Sequence, residues 1–112
     1  MTKEKTMQFV IIAYDAKDDG AMARRMVARE AHTKAMAQAR ESGNMICGVA
    51  LLDDTGKMIG SNVIVNYPSR KELDDWLAVE PYIVGKVWDN ITIIPAKLGD
   101  SFKDLIKTCH SE

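Results

Sequence analysis

Two segments of this sequence have apolar residues at both odd and even positions, so an extended chain would be apolar on both of its faces. Residues 8–14 and 45–52 show this pattern, and both are rich in β-forming side chains. A strand that is apolar on both faces lies in the interior of a sheet that is covered on both sides. In the first segment one face carries Phe9, Ile11 and Ala13, and the other carries Val10 and Ile12.

Between these two strands lies a segment typical of a long helix. Residues 21–41 consist largely of Ala, Met, Arg, Lys, Gln and Glu, which are strong helix formers, and Gly43 stands where a C-terminal cap belongs. Spacings of three and four residues then predict one buried stripe on this helix. It contains Ala28, His32, Ala35, Met36 and Ala39.

The second half of the chain predicts a hairpin, a broken helix and a last strand. Residues 45–52 and 58–67 flank a short turn, which indicates a hairpin. Ser69, with a glutamate three residues later, has the spacing of a helix capping box, and Pro81 interrupts the helix that follows. The last strand is expected over residues 87–94, ending at Pro95, and a short docked helix containing Phe102, Leu105 and Ile106 is expected after it.

The resulting order, β-α-β-β-α-β, predicts an α+β, ferredoxin-like fold with a four-stranded antiparallel sheet. Both helices cover the same face of the sheet in that topology. The other face would expose more apolar surface than a monomer normally does. We therefore expect a homodimer that stacks sheet on sheet and encloses a barrel-like core. A length of 112 residues is typical of one domain.

The composition excludes several classes of partner and indicates a cellular compartment. A formal charge of -1 gives no general attraction to nucleic acid. An RNA-recognition module has the same element order but needs exposed aromatics on strands one and three, where strand three offers only Tyr67 at its end. Cys47 and Cys109 lack metal-ligand spacing, so no metal site is expected. Without a predicted signal peptide or membrane span, we expect a cytoplasmic protein with no membrane partner.

His32 is the residue with the clearest potential for chemistry. A lone histidine on an apolar helix face is commonly a core residue, but Arg25 and Arg29 lie on the same side of the helix, at i−7 and i−3. Glu80 stands at the proline-broken helix end, from which its carboxylate can turn inward. A carboxylate on one imidazole nitrogen fixes the tautomer and raises the basicity of the other nitrogen, as a general base requires.

Six short segments, in this order and spacing, resemble the YCII-related family over about residues 7–97. The resemblance implies a single YCII-related domain over 1–112 with a C-terminal extension at 98–112, a dimeric α+β barrel, and a His32–Glu80 catalytic pair. The established activity closest to this family is a dehydrochlorinase acting on a chlorinated hydroquinone. Glu80 replaces the family's Asp and is one methylene longer, so the pairing depends on where the longer side chain places its carboxylate. The segments are 9–14, Arg29-Glu30-Ala31-His32 for the Arg-x-x-His motif, Gly43, 60–64, Glu80-Pro81-Tyr82 for Asp-Pro-Tyr, and 87–95.

Two functions follow as hypotheses. The first is a lyase or isomerase for a small cyclic oxygenated compound, in which His32 transfers a proton, Glu80 orients His32, and Arg29 and Ser61 bind a developing oxyanion. Tyr82 lines the pocket or packs as an ordinary aromatic, and Ser61 is a ligand or merely a small residue. No cofactor motif occurs in the sequence, so none is expected. The second hypothesis is a non-catalytic homodimeric module that binds a small ligand or a protein.

Overall fold

The computed structural model describes residues 6–107, which form one sheet with helices and a short C-terminal segment. Within this range no helix is both long and apolar enough to cross a membrane. In chain order the elements are β1 (Met7–Asp15), α1 (Ala21–Ser42), β2 (Met45–Leu52), β3 (Met58–Tyr67), α2 (Arg70–Leu77), α3 (Pro81–Val84), β4 (Trp88–Ala96), a 3₁₀ turn (Asp100–Phe102) and α4 (Asp104–Lys107).

The sheet has the strand order β2-β3-β1-β4, and every neighbouring pair is antiparallel. Phe9 of β1 lies opposite Val65 of β3 and Pro95 of β4, which fixes the register of the two central strands and one edge. This arrangement confirms the predicted α+β, ferredoxin-like fold with its four-stranded antiparallel sheet.

One side of the sheet, which we call the helix face, carries the main core. The central strands contribute residues that are almost fully buried, and α1 and α2 pack on them from the same side, as predicted. Because β1 and β3 lie in the middle of the sheet, their odd-numbered apolar residues are the most completely covered. The core contains Phe9, Ile11, Ala39, Met45, Val63, Val65, Tyr67, Leu73 and Leu77.

The opposite side, which we call the open face, is also apolar. Alternation along the paired strands places a second set of aliphatic side chains there, away from α1 and α2. Val49 is 60% exposed and Ile94 is 44% exposed. The aliphatic residues of the open face are Val10, Ile12, Val49, Leu51, Ile64 and Ile94, and the same face also carries the polar Asn62 and Thr92.

The two helix ends that were predicted from cap residues have the expected geometry. Gly43 follows α1 with φ 94°, in the left-handed region that favours glycine. Ser69 caps α2, since its Oγ accepts a hydrogen bond from the Glu72 backbone N–H at 3.3 Å. These caps set the C-terminal end of α1, before β2, and the N-terminal end of α2, after β3.

The prediction that Pro95 ends the last strand was wrong. β4 continues through Pro95 to Ala96. Because β4 is an edge strand paired only with β1, a residue without an N–H can face outward at no cost to the ladder. The predicted short helix after β4 is present as α4, although Phe102 precedes it in the 3₁₀ turn and is 57% exposed.

Candidate active site

The central feature of the site is a direct contact between α1 and the loop before α3. Nδ1 of His32 lies 2.8 Å from Oε2 of Glu80. The Glu80 side chain is fully buried, whereas the His32 side chain keeps 14% of its surface exposed. The pair therefore has a buried carboxylate end and an imidazole end that reaches the surface.

Local sequence explains why Glu80 turns inward. Pro81 occupies the first turn of α3, where its missing N–H is harmless, and Glu80 is the extended N-cap before it. Oε1 of Glu80 accepts a hydrogen bond from the Tyr82 backbone N–H at 2.9 Å. Oε1 of Glu80 thus accepts a hydrogen bond from the helix that Glu80 caps, and Oε2 pairs with Nδ1 of His32, so both oxygens have a partner and the carboxylate is held in a single orientation.

Aromatic rings fix the other side of the histidine. The His32 and Tyr82 rings are stacked, with centroids 3.7 Å apart and planes within 5°. Trp88 meets both rings edge-on, at 5.8 Å from His32 and 5.6 Å from Tyr82. Burial raises the pKa of the Tyr82 phenol above its ordinary value of 10.0, so this group stays neutral at physiological pH. The imidazole is consequently held by packing as well as by its hydrogen bond.

His32 opens onto a groove of about 280 Å³ between α1 and strands β2 and β3. Small residues of the two strands, Gly48, Ala50 and Ser61, leave the space above the sheet unfilled. A Cβ at Gly48 would lie 2.8 Å from a methyl of Val63, so this position of β2 has no room for a side chain. The groove is lined by Arg25, Arg29, His32, Thr33, Met36, Met45, Gly48, Val49, Ala50, Met58, Ser61, Val63 and Tyr82.

The structure brings the five residues predicted for the site together. Arg29, His32, Ser61 and Tyr82 line the groove, and Glu80 lies behind His32. Ser61 and Tyr82 are buried, whereas Arg29 is exposed. Larger hollows exist, including one of about 430 Å³ beside Asp15, but the groove is the cavity that joins a histidine to two arginines.

Arg25 was not among the predicted site residues. Its side chain is only 4% exposed, its Nη1 forms an ion pair with Oδ2 of Asp15 at 2.5 Å, and its Cζ lies 4.9 Å from the centroid of the Tyr82 ring. The signal available in the sequence was its position seven residues before His32, two helical turns along the same side. Its partner Asp15, at the end of β1, had no such signal.

Trp88 is a further residue of the site that the sequence did not indicate. It was expected to be core, and it is indeed 5% exposed, yet its ring contacts both His32 and Tyr82. Position alone predicts burial for a tryptophan at the start of a strand. It does not predict which rings the indole meets.

Comparisons with known proteins agree with this architecture. The family model of the YCII-related domain matches residues 7–97. Among solved structures, 5-chloro-2-hydroxyhydroquinone dehydrochlorinase from Burkholderia phenoliruptrix, determined in complex with 2,5-dihydroxybenzoquinone, is similar with a TM-score of 0.71 and 19% identity, covering 85% of this chain and 98% of that chain. No curated protein matches the sequence.

Two further solved structures are similar at lower scores. A protein from Pseudomonas aeruginosa has a TM-score of 0.53 and 14% identity, covering 88% of this chain and all of that chain (100%). A dimeric protein of unknown function with a ferredoxin-like fold, from Bacteroides fragilis, has a TM-score of 0.49 and 7% identity, covering 83% and 96%. Since the family model spans most of the sequence, the chain belongs to the YCII-related domain family.

Proposed function

We propose that this protein is a lyase or isomerase that moves a proton on a small cyclic oxygenated compound, with His32 as general base and Glu80 as the carboxylate that orients it. The observation that carries the proposal is the 2.8 Å contact between His32 Nδ1 and Glu80 Oε2. Because Glu80 acts as acceptor on Nδ1, the imidazole holds its proton there and presents Nε2 as the basic nitrogen.

The reaction begins when Nε2 of His32 removes a proton from a carbon next to a carbonyl of the bound compound. The electron pair of the broken C–H bond moves to the carbonyl oxygen and forms an enolate. An isomerase returns the proton from His32 to another carbon, and a lyase expels a leaving group such as chloride. Both outcomes balance without an external oxidant or reductant.

Groups around the groove suit the charge that this step creates. Arg29 and the Ser61 hydroxyl are donors for the enolate oxygen, which is the charge that general base catalysis must stabilise. The stacked Tyr82 keeps the imidazole plane fixed, so the orientation of Nε2 costs little at the moment of reaction. The name of the similar dehydrochlorinase supports a single-ring hydroxyquinone or hydroquinone as the first class of compound to test.

We further propose that the protein works as a homodimer through its open face. Six aliphatic side chains lie on that face in a sheet whose other side already has its core. Two copies stacked by a two-fold axis would bury both open faces at once. This assembly would also shield β2 and β3, the strands that line the groove.

A non-catalytic binding module is the second candidate, and one observation favours it. His32 lies flat on Tyr82 at 3.7 Å, as a histidine with a packing role would. In that case the groove binds its ligand without turnover, and His32 serves to hold Tyr82 in place.

Solvent deuterium exchange separates the two candidates. The protein is incubated in D₂O with a panel of single-ring hydroxyquinones and cyclic diketones, each tested with and without a ring carboxylate, and exchange at ring carbons is followed by ¹H NMR. Chloride release is followed for 5-chloro-2-hydroxyhydroquinone. The wild-type protein is expected to accelerate deuterium exchange or chloride release. The rate of the His32→Ala variant should be lower by a factor on the order of 10² or more. Val27→Ala, a change on α1 at a side chain that is 85% exposed and does not line the groove, is the control and should keep the rate. A His32→Ala variant as fast as wild type, or a wild type inactive on the whole panel, contradicts the enzyme proposal.

A further inference from the structure

We propose that the groove selects ligands that carry a carboxylate, and that Arg25 is the residue that binds it. This inference rests on the proposed function only in placing a small ligand in the groove. It adds a class of ligand, a small ring or chain with one carboxylate, and a residue outside the His32–Glu80 pair.

The first step concerns how the guanidinium of Arg25 is used. Nη1 forms the ion pair with Asp15, and Nη2 has the Met58 thioether sulfur at 3.6 Å, which is a weak acceptor. Among the described residues, the buried Nε finds no hydrogen-bond partner. Nε–H and Nη2 lie on the same edge of the guanidinium plane, and Asp15 contacts the other side, at Nη1. The only hydrogen-bond acceptor that the described residues offer to the Nε and Nη2 edge is the Met58 sulfur.

The second step concerns burial. Arg25 is 4% exposed, and a buried cation needs strong acceptors for its donors. The ion pair with Asp15 compensates part of its charge, although Oδ1 of Asp15 is also buried without a hydrogen-bond partner. A purely structural ion pair gains little over an apolar replacement, so an under-satisfied one beside a cavity indicates a binding role.

The third step concerns the match between the free edge and its ligand. Two parallel N–H donors on one edge of a guanidinium fit the two oxygens of a carboxylate, and a lysine offers no such fork. Arg29 adds a second positive charge, and none of the described residues that line the groove is acidic. A carboxylate would replace the Met58 sulfur on the Nε and Nη2 edge.

The rest of the groove limits the body of the ligand. Beside the arginines its lining is largely aliphatic and thioether, from Met36, Met45 and Val63. A cavity of about 280 Å³ is at the small end of ligand sites. The occupant is therefore a compact apolar body with one anionic end, lying between Arg25 and the imidazole of His32.

Benzoate and its neutral counterpart benzamide are suitable probes. Each is titrated into ¹⁵N-labelled protein, and binding is followed at the Arg25 Nε–H and Trp88 indole N–H signals, with Trp76 on α2 as the internal reference. Wild type is expected to bind benzoate at least about tenfold more tightly than benzamide, as one charge-assisted hydrogen bond implies. Arg25→Lys should lose about tenfold for benzoate and little for benzamide.

Two further variants serve as controls for this titration. Arg25→Met/Asp15→Asn removes both charges of the ion pair, so it avoids leaving a lone buried carboxylate. It should lose most of the preference for benzoate, since only Arg29 is left to favour the anion. Glu80→Gln should keep the preference for benzoate, because Glu80 does not line the groove, and this separates the inference from the proposed proton transfer. Equal binding of the two probes by wild type, an undiminished preference in the double variant, or no shift with either probe overturns the inference.

Discussion

Glu80 and His32 are separated by 48 positions in sequence, and their side chains meet at 2.8 Å between Oε2 and Nδ1. The contact joins the middle of the long helix α1 to the N-cap of the short helix α3. Oε1 of the same carboxylate holds the Tyr82 backbone N–H, and the Tyr82 ring stacks on His32. Two residues of one short motif thus hold the imidazole, Glu80 by a hydrogen bond and Tyr82 by ring stacking.

Changing the carboxylate should separate its two tasks. In Glu80→Gln the amide oxygen can still cap α3, but an amide NH₂ facing His32 would donate to Nδ1 and move the ring proton to Nε2. We expect deuterium exchange on the best compound of the panel to fall by about 10²-fold. Glu80→Asp shortens the side chain but keeps a carboxylate that can accept a hydrogen bond from Nδ1, so a smaller loss is expected. Equal rates for wild type and Glu80→Gln would show that the carboxylate does not orient the base.

Adding a methyl group at Gly60 should destabilise the sheet. A Cβ there would clash with the Ala13 backbone oxygen, which belongs to the neighbouring strand and cannot move aside cheaply. We expect Gly60→Ala to lower the free energy of unfolding by about 1–3 kcal/mol or more. Gly99→Ala is the control, because its Cβ would lie 3.7 Å from the Phe102 ring. Urea unfolding measures both, and a Gly60→Ala midpoint equal to wild type would contradict the close approach of β1 and β3.

The buried tyrosines should make stability fall in alkali. Burial raises the pKa of Tyr67 and of Tyr82 above the ordinary value of 10.0. The two protonated tyrosines therefore make their full contribution to the free energy of unfolding below pH 10. This contribution is lost as the pH rises above 10, because the tyrosines of the unfolded chain lose their phenolic protons at a lower pH than those of the folded chain. The free energy of unfolding should fall by up to ~1.4 kcal/mol per pH unit for each tyrosine.

Phenylalanine variants test the source of that loss. Tyr67→Phe and Tyr82→Phe should each flatten the decline in the urea midpoint between pH 9 and the highest pH at which unfolding remains reversible. Tyr14→Phe, a change at a tyrosine that is 44% exposed, is the matched control and should leave the slope as in wild type. A slope that survives both buried changes would mean that other groups cause the alkaline loss.

A charge on the open face should prevent the proposed dimer. Ile64 lies on β3, in the interior of the sheet, so Ile64→Glu would place a carboxylate between the two stacked sheets. Light scattering after size exclusion is expected to give twice the 12.5 kDa chain mass for wild type and a single chain for the variant. Val27→Glu on α1, where the side chain is 85% exposed, should leave the mass unchanged. A monomeric wild type would refute the assembly.

Much of the fold was predictable because its signals are local. The bounds of β2 and β3 follow from apolar runs around a turn, and Gly43 and Ser69 mark helix ends through their own backbone and side-chain chemistry. The end of β4 was not predictable in the same way. Whether a proline ends a strand depends on whether that strand lies at the edge or in the interior of the sheet. Pro95 is tolerated because β4 is an edge strand.

The site was predictable only where a motif carried it. The sequence indicated five site residues through a resemblance and through helix position. In the structure four of them line the groove and Glu80 lies behind His32; the four are Arg29, His32, Ser61 and Tyr82. The Arg25–Asp15 pair could not be predicted, since it depends on the distance between a helix and the end of β1. The aromatic contacts of Trp88 depend likewise on tertiary packing.

The tautomer of His32 tests the central claim most directly. Long-range ¹H–¹⁵N NMR on a His110→Ala variant leaves His32 as the one histidine in the chain, since the sequence has two. At a pH where the ring is neutral, the account predicts a proton on Nδ1 and an unprotonated, basic Nε2, with Glu80→Gln reversing the two. A wild-type ring protonated on Nε2, or the same tautomer in both proteins, would contradict the claim that Glu80 sets His32 as a base.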